Sequence, residues 1–366
     1  PSAARAARPR EGARRPRAVP RYGRAPLPLK AMAVCAEFPD WKRRRTLSTG
    51  SVRRVAILGG THGNEITGVH LAKHFMRTPA EVTRPSFETE VFISNLAAVE
   101  KNTRYVEEDL NRCYALADLV DNGKAAATLE RKRAREVDVL LGPKSAPDPR
   151  CDFVLDLHTT TASTGIALMM APNDDFGHEL GKHLMTLDES VVIVEWNPLN
   201  DWCVCPSIGR SGMTFEIGPC PWGVVVPDLN LFARSRRLVR AMLDYIEAHN
   251  TRVAAGATAP VAATVPVYRA IGVSIDYPRN ADGEMVGMVH PSLQGGDFKE
   301  LKDGDPLFML FSGETVPFRR EEHKVSATHE SVNALFVNEA AYYEKKMALM
   351  LCTRAEAQFS MMGGSA

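Results

Sequence analysis

A short apolar run that ends in a glycine-rich turn constrains this chain more than any other stretch of its sequence. Residues 55–58 read Val-Ala-Ile-Leu, which is typical of a strand buried on both faces of a parallel sheet. The turn that follows places His62 and Glu65 three residues apart. Zinc binds imidazole and carboxylate groups, and a catalytic zinc site usually takes three protein ligands. The turn therefore predicts two metal ligands and requires a third from elsewhere.

A second apolar run supplies the candidate for the third ligand. Residues 153–158 read Phe-Val-Leu-Asp-Leu-His, so His158 lies at the carboxyl end of another predicted strand. Ligands of open α/β sheets collect at the carboxyl ends of strands. Asp156 projects from the same face of the strand as His158, where a carboxylate can orient the imidazole. A phosphate-binding turn is the weaker alternative, because the first turn has neither G-x-G-x-x-G nor G-x-x-x-x-G-K-[ST].

Further polar residues match what the hydrolysis of an amide requires. Such a reaction needs a general base, a positive charge where the oxyanion develops, and a clamp for a substrate carboxylate. Glu216 fits the base, Arg104 fits the positive charge, and the pair Asn111-Arg112 fits the clamp. Each of these residues taken alone is also explained as an ordinary surface charge. Taken together, in order along one chain, they favour a catalytic site.

Six short motifs occur in a fixed order over most of the chain, from about residue 52 to about residue 351. They are GGTHGNE at 59–65, TRY at 103–105, DLNR at 109–112, DLH at 156–158, EIGP at 216–219 and NEAAYYEKK at 338–346. Together they resemble the aspartoacylase family, which includes aminoacylases of N-acyl aromatic amino acids and is a branch of the zinc carboxypeptidase superfamily. The resemblance implies an α/β fold with a mixed, mainly parallel sheet flanked by helices and a smaller C-terminal β domain.

The same resemblance implies a zinc-dependent deacylase of N-acyl L-amino acids with one zinc ion per subunit. It implies that Glu216 is the general base and that Arg104 polarises the acyl carbonyl. The implied zinc ligands are His62, Glu65 and His158. The implied substrate-binding residues are Asn111, Arg112, Thr159 and Tyr342. In this reading Glu216 takes a proton from the attacking water and passes it to the leaving amine.

Two departures from the family pattern bear on the substrate. Residues 159–161 read Thr-Thr-Thr where the family usually has Asn-Thr-Thr. Aspartoacylase proper carries an arginine ten residues before the general base, which grips the β-carboxylate of the substrate, and this chain has Pro206 there. Arg210 is close enough in sequence for a shifted loop to supply the charge. Trp196 and Trp202 offer an aromatic surface, although ordinary packing explains them equally well.

An unpaired carboxylate in a dry pocket is costly, so the missing arginine favours N-acyl aromatic amino acids or mercapturates as substrates. Two alternatives stay open. The first is an aspartoacylase that cleaves N-acetyl-aspartate to aspartate and acetate. The second is a non-catalytic family member that binds metabolites in the same pocket.

Charge and composition bear on partners and location. Nine of the 45 Lys and Arg residues but one of the 44 acids lie in residues 1–36, so the remainder carries a net charge of −7. A mildly acidic body argues against nucleic acid as a partner. No apolar run approaches the roughly 20 residues of a membrane span. The seven cysteines form no C-x-x-C pair, which argues against a structural zinc site. With no secretory apolar segment visible, we expect reduced thiols inside the cell. We expect a cytoplasmic enzyme and a homo-oligomer.

The pattern along the chain predicts three parts. Residues 1–48 form a basic Arg-, Ala- and Pro-rich tail that we expect to be disordered, with organelle targeting as an open alternative. Residues 49–255 alternate strands and helices and form the predicted catalytic domain. An Ala-, Thr- and Pro-rich stretch at 251–266 predicts a linker. Residues 260–353 carry short strands and turns, which predict a β domain that caps the zinc cleft. Helices are predicted at residues 67–76, 129–141, 177–187 and 228–250.

Overall fold

The computed structural model describes residues 47, 50–120, 128–196, 203–257 and 260–362. Apart from Leu47, the predicted tail at residues 1–48 lies outside the described residues, and so does Trp202. Within the described ranges, no helix is both long enough and apolar enough to span a bilayer. The predicted α/β class is confirmed, since helices flank a large and mainly parallel sheet.

The described residues form twelve strands. In chain order they are β1 (Arg54–Gly59), β2 (Glu88–Ile93), β3 (Phe153–Thr159), β4 (Ile166–Met170), β5 (Val191–Glu195), β6 (Ser211–Ile217), β7 (Pro260–Ile275), β8 (Gly287–Val289), β9 (Pro306–Leu310), β10 (Thr315–Pro317), β11 (Asn333–Leu335) and β12 (Leu349–Met362). Nine of them make one sheet in the order β11-β12-β7-β5-β4-β6-β3-β1-β2. Strands β2, β1, β3 and β6 are parallel neighbours, whereas β4 runs antiparallel to β6.

Helices cover both faces of this sheet. They are α1 (Ile66–Arg77), α2 (Leu96–Lys101), α3 (Leu116–Val120), α4 (Leu129–Leu141), α5 (Asp175–Leu187), α6 (Leu229–Ala254) and α7 (Ala340–Tyr343). On β1, Val55 and Ile57 pack into a core shared with α1, α5 and α6. Their neighbours Ala56 and Leu58 pack into a second core shared with α3 and α4. Successive strand residues face opposite sides, so burial on both faces explains the unbroken apolar run at 55–58.

The linker predicted at residues 251–266 is wrong in extent. Helix α6 continues to Ala254, and β7 begins at Pro260, so both ends of the predicted linker are regular structure. The first part of β7 is mostly exposed and pairs with β12 along its length. The Ala-, Thr- and Pro-rich composition therefore reflects exposure to solvent and not an absence of structure.

The C-terminal strands divide between two sheets. Strands β7, β12 and β11 are antiparallel neighbours that extend the large sheet. Strands β8, β9 and β10 make a separate antiparallel sheet, which is three-stranded in the described part of the chain. A core of its own, which includes Leu293, Leu307, Phe318 and Leu349, lies under this smaller sheet. The boundaries of the capping domain at 260–353 stay a prediction, because β7 and β12 also belong to the large sheet.

Candidate metal centre and active site

Two neighbouring strand ends bring the three predicted metal ligands together. His62 and Glu65 follow β1, and His158 lies near the carboxyl end of β3, which pairs with β1 in parallel. Ligand atoms of the three side chains all lie within 4.8 Å of one another, and all three residues are buried. Helix α1, which follows Glu65, packs closely against β3 at Gly68, where a Cβ would lie 3.0 Å from the carbonyl oxygen of Leu157. We call His62, Glu65 and His158 the metal triad.

Carboxylates orient both imidazoles of the metal triad. His158 Nε2 lies 2.8 Å from an Asp156 oxygen, and His62 Nε2 lies 3.0 Å from an Asp109 oxygen. Thr61 donates a hydrogen bond of 2.7 Å to Asp156. Where Nε2 donates to its carboxylate, a neutral imidazole turns the lone pair of Nδ1 inward, and the two Nδ1 atoms lie 3.1 Å apart. Such an arrangement is repulsive without a cation, so the residues fit a bound metal ion.

Glu65 completes the ligand set. Its Oε1 lies 2.6 Å from His62 Nδ1, and its Oε2 lies 3.0 Å from His158 Nδ1. Burial raises the pKa of Glu65, but the two imidazoles lower it by more, so that it lies well below its usual range. Burial lowers the pKa of His158, yet Asp156 and Glu65 hold it well above its usual value. Both shifts reflect the mutual attraction between the Glu65 carboxylate and the imidazoles around it.

Glu216 lies opposite His158 in the parallel register of β3 and β6. Its Oε2 atom is buried and has no hydrogen-bond partner among the described residues. Burial raises the pKa of Glu216 to about 8, with Glu65 and Glu339 adding to the rise and His158 and Arg104 opposing it. A carboxyl group held near neutral pKa beside a metal site is suited to take up and release a proton.

Arg104 lies at the edge of the metal triad. Its Nη1 is 3.2 Å from a Glu65 oxygen, and its Nη2 is 3.4 Å from an Asp109 oxygen. Burial lowers the pKa of Arg104, but Asp109 and Glu65 raise it above its usual value, so the guanidinium stays charged. Asp109 thus contacts both Arg104 and His62. Sequence reasoning did not assign it a role, although it is the first residue of the DLNR motif.

The next two residues of that motif lie in a short 3₁₀ turn, Leu110–Arg112. Asn111 is buried, and its side-chain oxygen accepts a hydrogen bond of 3.1 Å from the amide of Cys205. Arg112 donates a bond of 2.6 Å to the carbonyl oxygen of Asn111. Burial, together with the nearby positive charge of Arg112, lowers the pKa of Lys345 to about 8. Arg112 therefore faces the same cleft as the residues of α7.

Tyr342 on α7 reaches the site from the C-terminal part of the chain. Burial raises its pKa well above the usual range, while Arg112 and Arg104 lower it. Its ring makes an edge contact with Phe336 at 5.6 Å between centroids. The structure thus brings Tyr342 near Arg112, the predicted substrate-binding arginine, and near Arg104, the predicted carbonyl polariser. Trp196 packs against the same apolar cluster as Tyr342.

Glu339 joins α7 to the segment that follows the third ligand. It is buried and accepts hydrogen bonds from the amides of Thr161 at 2.7 Å and Ala162 at 3.1 Å, and from the hydroxyl of Thr160. Thr159 donates its backbone N–H to Glu65 at 2.9 Å, and its buried hydroxyl has no partner within the described ranges. Glu339 was missed as a site residue. Its contacts span 177 to 179 positions, so no local pattern indicates them.

Arg210 does not reach the site. Its guanidinium lies 3.3 Å from an oxygen of Asp152, which directly precedes β3. Since His158 follows six residues later along that strand, Arg210 is about 20 Å away at the opposite end of the sheet. Pro206 is buried in the 3₁₀ turn Cys205–Ile208. The shifted loop that would supply a substrate-binding arginine is therefore not what the structure shows.

Comparison with known proteins places the chain among metal-dependent hydrolases of this architecture. Residues 51–246 match the succinylglutamate desuccinylase/aspartoacylase catalytic domain. Residues 263–354 match the AstE/AspA barrel-sandwich hybrid domain. The chain belongs to the succinylglutamate desuccinylase/aspartoacylase family, as its motifs predict.

Individual relatives extend this likeness. The chain is 41% identical over 300 residues to the mouse N-acyl-aromatic-L-amino acid amidohydrolase (carboxylate-forming), covering 81% of this chain and 89% of that protein. It is 37% identical over 308 residues to rat aspartoacylase, covering 83% and 93%. The crystal structure of murine aminoacylase 3 superposes with a TM-score of 0.77 at 37% identity and covers 86% of this chain and 99% of that chain.

Proposed function

We propose that this protein is a zinc-dependent amidohydrolase that deacylates N-acyl L-amino acids and prefers aromatic amino acids or mercapturates. Family membership, with relatives named as amidohydrolases over most of the chain, supports an enzyme that hydrolyses amides of N-acyl amino acids. One observation carries the reaction. The buried Oε2 of Glu216, which has no hydrogen-bond partner in the described part of the chain, lies on the strand beside His158, next to the metal triad.

The metal triad is the proposed binding site of one zinc ion per subunit. Two inward-facing imidazole nitrogens and one carboxylate match the ligand set of a catalytic zinc site. When bound in such a site, zinc polarises a water molecule and lowers its pKa. Asp156 and Asp109 hold the two imidazoles in the tautomer that ligation needs.

Glu216 is the proposed proton carrier. Water adds to the acyl carbonyl carbon, the bond from that carbon to the amide nitrogen breaks, and the acid and amine that form exchange the remaining proton to give a carboxylate and an ammonium group. The Oε2 atom of Glu216 takes a proton from the water and delivers it to the leaving nitrogen. A cation beside Glu216 favours its charged form, which offsets the rise in pKa to about 8 that burial causes.

The proposed substrate contacts surround this centre. Arg104 donates to the carbonyl oxygen as negative charge develops on it. The guanidinium of Arg112 and the side-chain amide of Asn111 bind the α-carboxylate, for which a planar fork of donors is suited. Thr159 and Tyr342 contact the substrate beside them.

The preference for aromatic substrates rests on charge and on apolar surface. Arg210 is the only Lys or Arg between Trp196 and Glu216 in the sequence, and it is paired with Asp152 far from the site. A second substrate carboxylate would therefore find no arginine from this loop, and leaving it unpaired is costly. Trp196 and Tyr342 share an apolar cluster that suits an aromatic side chain. A cytoplasmic location and a homo-oligomeric state stay predictions from the sequence.

The test combines metal analysis with acetate release from N-acetyl-tyrosine and N-acetyl-aspartate. We expect about one zinc ion per chain and a higher kcat/KM for N-acetyl-tyrosine. A higher kcat/KM for N-acetyl-aspartate would refute the aromatic preference and favour the aspartoacylase alternative. Bound zinc without hydrolysis of either compound, or of longer N-acyl chains, would indicate a metabolite-binding protein instead.

A further inference from the structure

A buried carboxylate outside the active site, that of Glu130 on α4, binds the loop that carries the active-site arginines. Glu130 is fully buried. Its Oε1 accepts a hydrogen bond of 2.7 Å from the amide of Val106. Its Oε2 accepts bonds from the next two amides, Glu107 at 3.2 Å and Glu108 at 3.3 Å. Three consecutive backbone N–H groups thus converge on one carboxylate.

The same carboxylate also reaches the turn that carries the metal ligands. Asn95 donates its side-chain amide to Glu130 Oε1 at 3.3 Å, and its backbone N–H donates to the carbonyl oxygen of Gly60 at 3.0 Å. On the other side of that turn, the N–H of Gly63 donates to the carbonyl oxygen of Arg104 at 3.3 Å. The glycine-rich turn and the arginine loop are therefore held against each other and against α4.

Binding between the loop and α4 is reciprocal. Glu107 accepts a bond of 2.6 Å from the amide of Leu129, the first residue of α4. Glu108 accepts from the hydroxyl of Thr128, the N-cap residue, and from Arg131 at 2.7 Å. The loop side chains thus satisfy free donors at the start of the helix, while Glu130 satisfies the free amides of the loop. Neither part can shift without leaving buried polar groups unpaired.

We propose that Glu130 is a positioning residue for the hydrolytic reaction, which acts through Arg104 and Arg112. The three amides that it binds lie between the two functional stretches of the loop, two residues after Arg104 and one residue before Asp109. A buried carboxylate is stable only while its donors surround it, so its position fixes the backbone of the loop. This inference rests on the roles proposed above for Arg104 and Arg112.

The variant Glu130→Gln tests this role. The amide has the same shape, but one oxygen becomes an NH2 group that faces backbone donors, so the loop loses acceptors and shifts. Displacement of catalytic groups by about 1 Å can lower rates on the order of 100-fold. We expect kcat/KM for N-acetyl-tyrosine to fall roughly 10- to 100-fold, while zinc content stays at the wild-type level.

The ratio of kcat/KM values for two substrates distinguishes a positioning role from a simple loss of folded protein. N-acetyl-tyrosine carries the α-carboxylate, and its primary amide does not. The ratio of their kcat/KM values does not depend on how much enzyme is active. We expect this ratio to fall at least about fivefold in Glu130→Gln, because Arg112 moves away from the carboxylate. The control Glu136→Gln alters an exposed glutamate of the same helix, whose side chain pairs with Arg133, and should leave the ratio unchanged.

An unchanged ratio in folded Glu130→Gln would overturn the proposal, whatever its total activity. A ratio near one in the wild type would refute the carboxylate role of Arg112 and the proposal with it. If the variant does not fold, hydrogen–deuterium exchange of the wild-type enzyme decides, and this measurement does not depend on activity. Slow exchange of the amides of residues 106–108 supports the proposal, and exchange at the rate of free peptide refutes it.

Discussion

The Nδ1 atoms of His62 and His158 lie 3.1 Å apart although the two residues are 96 positions apart in the sequence. Each ring presents its other nitrogen to a carboxylate, Asp109 for His62 and Asp156 for His158. In their neutral form the two rings turn a nitrogen lone pair towards the same point, which is the arrangement that a shared cation needs. We therefore expect the proposed metal ion to stabilise the folded protein.

Removal of the metal should abolish activity and lower the melting temperature. A ligand that binds the folded state at 100 times its Kd stabilises it by about 2.7 kcal/mol, and a chelator removes that stabilisation. Differential scanning calorimetry and an activity assay, before and after dialysis against a chelator, measure both effects. Addition of zinc should restore them. Full activity of a preparation that metal analysis shows to be metal-free would contradict the site.

His158→Ala should lose the metal, whereas His70→Ala, at an exposed position on α1, should keep it. The two variants remove the same chemical group, so their difference in zinc content reports the site and not the loss of a histidine. Equal zinc content in both proteins would show that the metal triad does not bind the ion.

Replacement of Glu216 by glutamine should remove turnover and leave zinc bound. The amide cannot accept the proton of the attacking water, and general-base catalysis contributes roughly 100- to 10,000-fold. Steady-state kinetics with metal analysis on the same sample measures both quantities. Glu314→Gln, at an exposed position, is the matched control. Near-normal activity of Glu216→Gln would show that another group carries the proton.

The position of the metal triad could be predicted because its residues follow or end two strands with apolar runs. Glu216 was indicated by its place in the EIGP motif, and its role as general base stays a prediction. Burial on both faces of β1 and β3 leaves a local signature in the sequence, and the two strands are neighbours. Parallel strands align their carboxyl ends, so the residues that follow them meet. The local sequence pattern of β1 and β3 is therefore enough to predict that the residues after these strands lie close together.

Glu130 and Glu339 could not be predicted in the same way. Each is a buried carboxylate that binds backbone amides far away in the sequence, and a single glutamate on a helix or in a turn gives no sign of it. At residues 251–266 the sequence pattern was instead misleading. Its composition indicates a linker, yet β7 forms there because β12, almost a hundred residues later, supplies its hydrogen-bond partners.

Asp297 should make stability depend on pH between about 4 and 6. It accepts hydrogen bonds from the amides of Ser163 at 2.8 Å and Val337 at 3.1 Å, and burial raises its pKa to about 6. The folded state therefore holds this proton more tightly than the unfolded state, whose aspartate has a pKa of about 3.9. Its contribution is fully present below pH 3.9 and is lost as pH rises through 6.

The variant Asp297→Asn isolates this contribution. The difference in free energy of unfolding between wild type and variant should fall by up to about 3 kcal/mol from pH 4 to pH 7, since one pKa unit corresponds to 1.36 kcal/mol. Urea unfolding at a series of pH values measures it, with Asp282→Asn at an exposed position as the control. A difference that is constant with pH would show that Asp297 ionises as an ordinary surface carboxylate does, and one that rises with pH would show that folding lowers its pKa; either result contradicts the prediction.

Arg210 should have no part in the choice of substrate. Its guanidinium is paired with Asp152 at the amino end of β3, about 20 Å from His158 along the strand. We expect Arg210→Leu to leave the ratio of kcat/KM for N-acetyl-tyrosine and N-acetyl-aspartate within about twofold of wild type, because a side chain this far from the site contacts neither substrate. Steady-state kinetics with both substrates measures the ratio.

Arg104→Leu is the contrasting variant, because Arg104 lies 3.2 Å from the metal-triad residue Glu65 and Arg210 lies far from it. Loss of a donor to the oxyanion typically lowers kcat roughly 100- to 1,000-fold, and it should do so for both substrates alike. If Arg210→Leu instead lowers activity on N-acetyl-aspartate alone, the loop before Glu216 brings Arg210 to the substrate during turnover. The aromatic preference would then lose its main support, since a charge for the second carboxylate would be present after all.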